Sequence, residues 1–166
     1  MQDSTTAGKV YLLLDVEDET IWKYEELHEA GIRIAAAMTE DFLKKGIEIG
    51  LVSNGRDCMT GEEIYVPARA GKGQITRMLQ SLSRIDLREQ PKKFSECLAD
   101  RKNSFLAQEA FCILITKNQY DQLVMAMEEL GRKNGGSVFL AALYPGMELK
   151  VKESRAMQVI RWEVKE

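Results

Sequence analysis

The sequence has few of the residues that build metal or redox centres. It contains one histidine, three prolines and three cysteines in 166 residues. A single histidine, His28, excludes a metal site made of several imidazoles, and we expect it on a helix surface. The cysteines show no Cys-x-x-Cys spacing, and Cys112 lies within an apolar run, which predicts a small buried side chain. An odd, dispersed set of cysteines is typical of a protein in the reducing cytoplasm.

The sequence also lacks a cationic excess and a long hydrophobic run. The formal net charge is −3 and the isoelectric point is near 5.4, which argues against a nucleic-acid or anionic-membrane surface. No apolar stretch approaches the roughly 20 residues that a membrane span requires. Residues 1–8 form a polar stretch without a signal-peptide core, which we expect to be a flexible tail. Residues 9–166 are predicted to form one domain without membrane contact of its own.

Short apolar runs alternate with amphipathic patterns along the rest of the chain. Val10–Leu14 is apolar throughout, which favours a strand covered on both faces of a parallel sheet. Further strands are predicted at Ile47–Ser53, Glu62–Ala68, Ala110–Thr116, Val138–Leu143 and Met157–Val164, and helices at Ile21–Lys45, Gln74–Ile85, Phe94–Gln108 and Tyr120–Lys133. This alternation predicts a doubly wound α/β sheet with helices on both faces. The turn pair Asn54-Gly55 and Pro67 predict that the third strand is a short, antiparallel edge strand.

Four acids directly follow the first predicted strand: Asp15, Glu17, Asp18 and Glu19. Ligands of open α/β sheets bind in the crevice beyond the carboxyl ends of the strands. The sequence therefore predicts a crevice with Asp15 at its floor.

Several segments occur in an order that resembles a known family. They are Leu-Leu-Leu-Asp-Val-Glu at 12–17, the alanine-rich helix segment 31–38, Gly-Leu-Val-Ser-Asn-Gly at 50–55 and the Gly-Lys-Gly turn at 71–73. Together they resemble the von Willebrand factor A-like domain of the bacterial family called domain of unknown function 58. The likeness is good over residues 10–87 and follows the pattern alone beyond them. It implies a six-stranded sheet of order 3-2-1-4-5-6 with the third strand antiparallel.

The resemblance also implies a setting for the domain. Members of that family are commonly anchored by transmembrane helices ahead of this domain, and they are often linked genetically to chaperone-like ATPases of the AAA type. We therefore expect an excised soluble domain of a larger, membrane-anchored bacterial protein that works with an AAA-type ATPase.

Von Willebrand A domains typically carry a metal-ion-dependent adhesion site, and the resemblance implies a degenerate one here. Its first aspartate matches Asp15, whereas its two serines fall on Glu17 and Glu19. Its threonine, at the start of a later helix, falls on about Gly73. Its last aspartate, after the fourth strand, falls on about Lys117. One position of five keeps its residue type.

The replacements leave three interpretations of the crevice open. We expect no cofactor, and we hypothesise that Asp15, with Glu17 as a second candidate, pairs with the Lys117 ammonium in place of a metal ion. Alternatively, Lys117 points into solvent and the acids only cap the following helix, where negative charge is favourable. In the third interpretation, Asp15, Glu17 and Glu19 supply oxygen ligands to Mg²⁺ or Ca²⁺.

An enzymatic alternative rests on a second resemblance. Leu-Leu-Leu-Asp-Val-Glu-Asp-Glu-Thr is similar to the opening motif of haloacid-dehalogenase-type phosphatases. That scheme implies Asp15 as the nucleophile of a Mg²⁺-dependent reaction, Ser53 as a phosphate ligand and Lys117 as the phosphate-binding lysine. Glu17 in place of the shorter acid argues against it. So does Tyr-Pro-Gly after the fifth strand, where the scheme requires acids.

We therefore predict a non-enzymatic protein-interaction module. The predicted binding surface consists of the loops 15–20, 54–61, 70–73 and 117–120, with Asn54 among the crevice residues. Trp22 and Tyr120 are the candidate aromatic anchors.

Overall fold

A computed structural model describes residues 8–108 and 110–165, so nearly all of the predicted tail lies outside the described residues. The strands are β1 (Lys9–Leu14), β2 (Ile49–Arg56), β3 (Glu63–Arg69), β4 (Ala110–Thr116), β5 (Ser137–Leu143) and β6 (Gln158–Glu163). The helices are α1 (Glu25–Lys44), α2 (Lys72–Ser83), α3 (Phe94–Ala99) and α4 (Asp121–Asn134), with a 3₁₀ helix at Arg101–Ala107. No helix within these ranges is long and apolar enough to cross a membrane.

The six strands form one sheet of order β3-β2-β1-β4-β5-β6. Every neighbouring pair is parallel except β2 and β3, which run antiparallel. This order confirms the predicted doubly wound, von Willebrand A and Rossmann-like α/β architecture, including its short antiparallel edge strand.

β1 lies in the middle of the sheet, and its side chains are therefore buried on both faces. Leu12 and Leu14 pack into the core beneath α1 and α2, whereas Tyr11 and Leu13 pack into the core beneath α3 and α4. Leu12 and Leu13 have no exposed surface. An unbroken apolar run therefore suits this position, as the sequence predicts.

The connection after β2 differs from the predicted turn at Asn54-Gly55. Both residues lie within β2, and a Cβ at Gly55 would lie 2.9 Å from the Ile85 side chain, so close packing explains the glycine. The reversal follows at Asp57, whose carboxylate accepts the backbone N–H of Met59 at 2.7 Å. An Asx turn at Asp57 thus reverses the chain, where the sequence predicts the reversal at Asn54-Gly55.

The predicted helix Phe94–Gln108 is divided in two. Asp100 has extended backbone angles (φ −67°, ψ 135°), and its side chain accepts the N–H of Lys102 at the start of the 3₁₀ helix. Asparagine and aspartate favour such caps over helix interiors, which explains the break. Phe94 and Cys97 are buried as predicted.

The cysteines agree with a structural role. Cys112 is fully buried in β4, and burial raises the pKa of its thiol to about 12. Cys97 is buried, whereas Cys58 is exposed, and all three are free. The prediction of a small buried side chain is confirmed for Cys112.

Candidate functional site

The carboxyl ends of β1, β2 and β4 meet at the predicted crevice. Asp15 directly follows β1, and its N–H continues the ladder by donating to the Ile115 carbonyl of β4 at 3.0 Å. Asn54 belongs to β2, and Thr116 is the last residue of β4. The chain leaves β1 toward one half of the sheet and reaches β4 only later, so the topological switch point lies between these strands.

The Asp15 carboxylate accepts four hydrogen bonds from the protein itself. Its Oδ1 accepts from Asn54 Nδ2 at 2.9 Å and from the Glu17 N–H at 3.0 Å. Its Oδ2 accepts from Thr116 Oγ1 at 2.8 Å and from Asn118 Nδ2 at 3.0 Å. A carboxylate has about four lone-pair positions, so this buried group is saturated.

Other contacts fix the orientation of the two asparagine amides. Asn54 Oδ1 accepts the Val16 N–H at 3.0 Å, and its Nδ2 also donates to the Lys92 carbonyl at 2.8 Å. Asn118 Nδ2 also donates to the Glu17 carbonyl at 2.7 Å. Both NH₂ groups therefore face Asp15.

Lys117 contacts Asp18 and not Asp15. Its Nζ lies 3.3 Å from Asp18 Oδ1, 2.8 Å from Asn118 Oδ1 and 4.8 Å from the centre of the Tyr24 ring. The hypothesis that Lys117 pairs with Asp15 is thus wrong, because neutral donors already fill the Asp15 oxygens. Lys117 does not point into solvent either, since its side chain is only 9% exposed.

Asp18 also fixes the start of α1. Its Oδ1 accepts the N–H of Tyr24, which precedes the first helical residue, at 3.3 Å. The same oxygen lies 2.9 Å from Nε2 of His28, which is buried, so the prediction of a surface histidine is wrong. Burial lowers the pKa of His28, while Asp18 raises it and Lys117 lowers it further. Asp18 therefore holds the residue that precedes α1, whereas the N-cap position of this helix makes no side-chain capping hydrogen bond.

Glu17 differs from its neighbours because one of its carboxyl oxygens is buried without a hydrogen-bond partner. It is 3% exposed, and its Oε1 has no hydrogen-bond partner. Burial is the main cause that raises the pKa of Glu17 to about 7, followed by the charges of Asp15 and Glu19. Lys93 and Lys117 act in the opposite direction. Near neutral pH, this carboxyl group therefore holds a proton far more readily than an ordinary glutamate does.

Glu19 is exposed but close enough for its charge to raise the pKa of Glu17. Another predicted crevice residue, Gly73, lies elsewhere. Gly73 is in α2, and the next residue, Gln74, donates to the carbonyl of Ile49 at the beginning of β2. The antiparallel direction of β3 brings the chain back to the amino edge before α2 begins, so Gly73 and the loop 70–73 lie opposite the crevice.

A different helix start faces the crevice, namely that of α3. Lys92 accepts a hydrogen bond from Asn54, and Lys93 is close enough to Glu17 to lower its pKa. The sequence predicts neither Thr116 nor Lys93 as a binding residue, and it includes Asn118 only within the loop 117–120. Thr116 and Asn118 could have been recognised, because polar residues at the end of a buried strand point into this edge of the sheet.

The residues do not fit a divalent cation. Asp15 has no free lone pair, and the groups around it are donors that would face a cation with their hydrogens. Glu17 Oε1 is a buried crevice oxygen without a hydrogen-bond partner, but it is one ligand, whereas Mg²⁺ and Ca²⁺ require six or more. No group of three or more His, Cys, Asp or Glu side chains within 8–108 and 110–165 is arranged to hold a metal ion.

The residues that the phosphatase scheme requires as nucleophile and phosphate ligands make other contacts in this structure. Asp15 has no lone pair available for attack. Ser53 Oγ donates to the Leu14 carbonyl at 2.8 Å and accepts the Gly55 N–H at 2.9 Å, so it bridges β1 and β2. Lys117 is engaged by Asp18.

No protein-family model matches the chain, and no curated protein matches it. Among solved structures, the chain is similar to the crystal structure of the SpRpn10 VWA domain, with 10% sequence identity and a TM-score of 0.47. The similarity covers 95% of this chain and 88% of that chain.

Proposed function

We propose that this chain is a protein-interaction module that binds its partner at the carboxyl edge of the sheet without a metal ion. The observation that carries the proposal is the exposure of Ile21 (91%) and Trp22 (70%) on the loop between the crevice and α1. Tryptophan is enriched among residues that dominate binding energy, and exposed apolar groups rimmed by polar residues mark interfaces.

The loop that carries these side chains is held in position by hydrogen bonds. Trp22 N–H donates to Thr20 Oγ1 at 3.2 Å, and Lys23 Nζ donates to the Arg88 carbonyl at 3.5 Å. Gln90 Nε2 donates to the Asp18 carbonyl at 2.8 Å. A loop that is already ordered loses less entropy on binding, which favours affinity.

The other candidate anchor, Tyr120, is less suited to the role. Its OH accepts the Ser95 N–H at 3.1 Å and lies 3.2 Å from Ser95 Oγ, so the ring supports α3. Trp22 is therefore the proposed anchor, and the internally saturated crevice beside it is a rigid support.

The resemblance to domain-of-unknown-function-58 proteins supports a more specific proposal. The module is a degenerate adhesion site on the cytoplasmic part of a membrane-anchored bacterial protein, and its partner is an AAA-type ATPase. The module itself catalyses no reaction. The proposed family and partner are based on the sequence motifs, whereas the proposed interaction surface is based on the exposed side chains of Ile21 and Trp22.

The experiment compares anchor and control variants in binding to a purified AAA-type ATPase from the same organism, measured by biolayer interferometry. Trp22→Ala is expected to weaken binding about tenfold or more, which corresponds to a loss of about 1.4 kcal/mol or more. Met125→Ala is the matched control, because Met125 is 64% exposed but lies on α4. Equal binding by both variants would refute the proposed surface, and absence of wild-type binding would refute the proposed partner. Binding that requires added Mg²⁺ would refute metal independence.

A further inference from the structure

The strand β6 is an edge of the sheet without the proline or bulge that commonly prevents pairing. It is the last strand in the sheet order, so no strand of the described part of the chain covers its outer side. The opposite edge, β3, contains Pro67 and pairs with β2 through register shifts. β6 has no proline and pairs with β5 in an unbroken register of six residues. Proline and bulges are common devices that prevent edge pairing, and β6 has neither.

Contacts near the two ends of β6 show which of its residues direct their backbone N–H and C=O groups toward β5 and which direct them outward. Val164 N–H donates to the Leu143 carbonyl of β5, so the even-numbered residues face β5 and the odd-numbered residues face outward. Val159 N–H is already bound by the Glu153 carboxylate at 3.1 Å. Arg161 and Glu163 therefore present the open backbone groups of this edge.

The side chains of β6 divide between the two faces of the sheet. Ile160 and Val164 pack with the core beneath α1, so Trp162 lies on the α1 face and remains 49% exposed. It borders a groove of about 370 Å³ that is also lined by α1 residues, among them Ile34 and Met38. Arg161 and Glu163 lie on the other face, 28% and 57% exposed at their side chains.

We propose that two copies of this chain pair through β6 as an antiparallel twofold dimer. In this dimer, Trp162 lies opposite Trp162 of the second copy, and Arg161 lies opposite Glu163 of the second copy on both sides of the axis. A twofold interface uses the same patch on both copies, so this one strand supplies both halves. Arg161 and Glu163 form the pairs that exchange backbone hydrogen bonds.

Charge complementarity selects this register among its neighbours. Outward-facing residues must oppose outward-facing residues, so the register changes in steps of two. If the second copy is shifted by two residues in one direction, Arg161 lies opposite Arg161 of the second copy. If it is shifted by two residues in the other direction, Glu163 lies opposite Glu163 of the second copy and Arg161 lies opposite Lys165. Like charges directly opposite each other destabilise an antiparallel pair, whereas opposite charges and aromatic pairs stabilise it.

The test is a charge-reversal experiment on the full chain, with sedimentation velocity over a concentration series. The wild type is expected to dimerise reversibly. Arg161→Glu alone and Glu163→Arg alone each create like-charge pairs and are expected to raise the dimer dissociation constant about tenfold or more. An equimolar mixture of the two variants restores both opposite-charge pairs and is expected to form a heterodimer.

The mixing experiment also distinguishes the proposed Arg161–Glu163 pair between two copies from the Arg161–Glu163 ion pair within each chain. Arg161 Nε lies 3.5 Å from Glu163 Oε2 of the same chain, and mixing two variants cannot restore an intrachain pair. A wild type that stays monomeric at submillimolar concentration would overturn the proposal. So would a mixture that stays monomeric, or single variants that dimerise like the wild type.

Tryptophan fluorescence provides a second measurement at the proposed axis. The chain has two tryptophans, so Trp22→Phe leaves Trp162 as the only one. Its emission is expected to shift to shorter wavelength as this variant dimerises. Dimerisation without any change in Trp162 emission would place the contact elsewhere and refute the proposal.

Discussion

The carboxylate of Asp15 accepts the backbone N–H of Glu17 at 3.0 Å, whereas the Glu17 side-chain oxygen Oε1 has no hydrogen-bond partner. Two buried acids, two residues apart, therefore have opposite relationships to the protein. The Asp15 carboxylate accepts four hydrogen bonds, and the Glu17 carboxyl group has a buried oxygen that accepts none. Substituting each acid by its amide should change stability in opposite directions.

Asp15→Asn is expected to lower the free energy of unfolding by about 3 kcal/mol, because the new NH₂ group would face two of the four donors. Urea denaturation at neutral pH measures the loss. Glu19→Gln is the control, since Glu19 is exposed and should change stability by less than about 0.5 kcal/mol. A loss in Asp15→Asn as small as that of the control would show that the carboxylate is not required.

Glu17→Gln is expected to stabilise the protein above pH 7. The pKa of Glu17 is raised from its ordinary value of 4.5 to about 7, so the folded state holds a proton that the unfolded state releases. Wild-type stability should therefore fall as the pH rises from 4.5 to 7. Glutamine removes this loss, and we expect a gain of about 2 kcal/mol at high pH after allowance for solvent screening.

Denaturation curves at several pH values measure the effect of Glu17→Gln. The stabilities of the variant and the wild type should converge below pH 4.5, where Glu17 is protonated in both states. A constant difference across the whole pH range would show that the raised pKa is not its cause.

Asp18→Asn is expected to cost about 3 kcal/mol, because it leaves the Lys117 ammonium without its anion in a site that is 9% exposed. Asp41→Asn is the matched control, since the Asp41–Lys45 pair is 62% exposed at both side chains and should contribute less than about 0.5 kcal/mol. The double variant Asp18→Asn with Lys117→Met should recover part of the loss. Additive effects of the two substitutions would contradict the pairing.

Mg²⁺ and Ca²⁺ are expected to leave the melting temperature unchanged, because the Asp15 oxygens are saturated. An ion bound at a concentration one hundred times its dissociation constant would add about 2.7 kcal/mol of stability, which thermal melting detects easily. The control is the same protein after treatment with a chelator. A saturable increase in melting temperature that Asp15→Asn abolishes would restore the adhesion-site interpretation.

Patterns within single segments predicted the fold well. The unbroken apolar runs of β1 and β4 identified buried parallel strands, and Pro67 identified the edge strand. The antiparallel direction of that strand is confirmed, although it was inferred from a turn at Asn54-Gly55 that the structure places further along the chain. The errors lie where side chains override local propensity. Asn54-Gly55 is a typical turn pair, but the Asn54 amide binds Asp15 and Gly55 packs against Ile85, which keeps both residues in β2.

The sequence by itself determined the alternation of strands and helices and the position of Asp15 at the end of a buried strand, because hydrophobic periodicity and strand length depend on neighbouring residues alone. The strand order was implied by the family resemblance, and the structure confirms it. Only the tertiary structure decided which groups meet that carboxylate. Asn54 and Asn118 reach it across 39 and 103 residues, whereas Lys117 is taken by Asp18. Hydrogen-bond partners so distant in sequence depend on the packed geometry of several strands, and no local pattern encodes which donor fills an oxygen first.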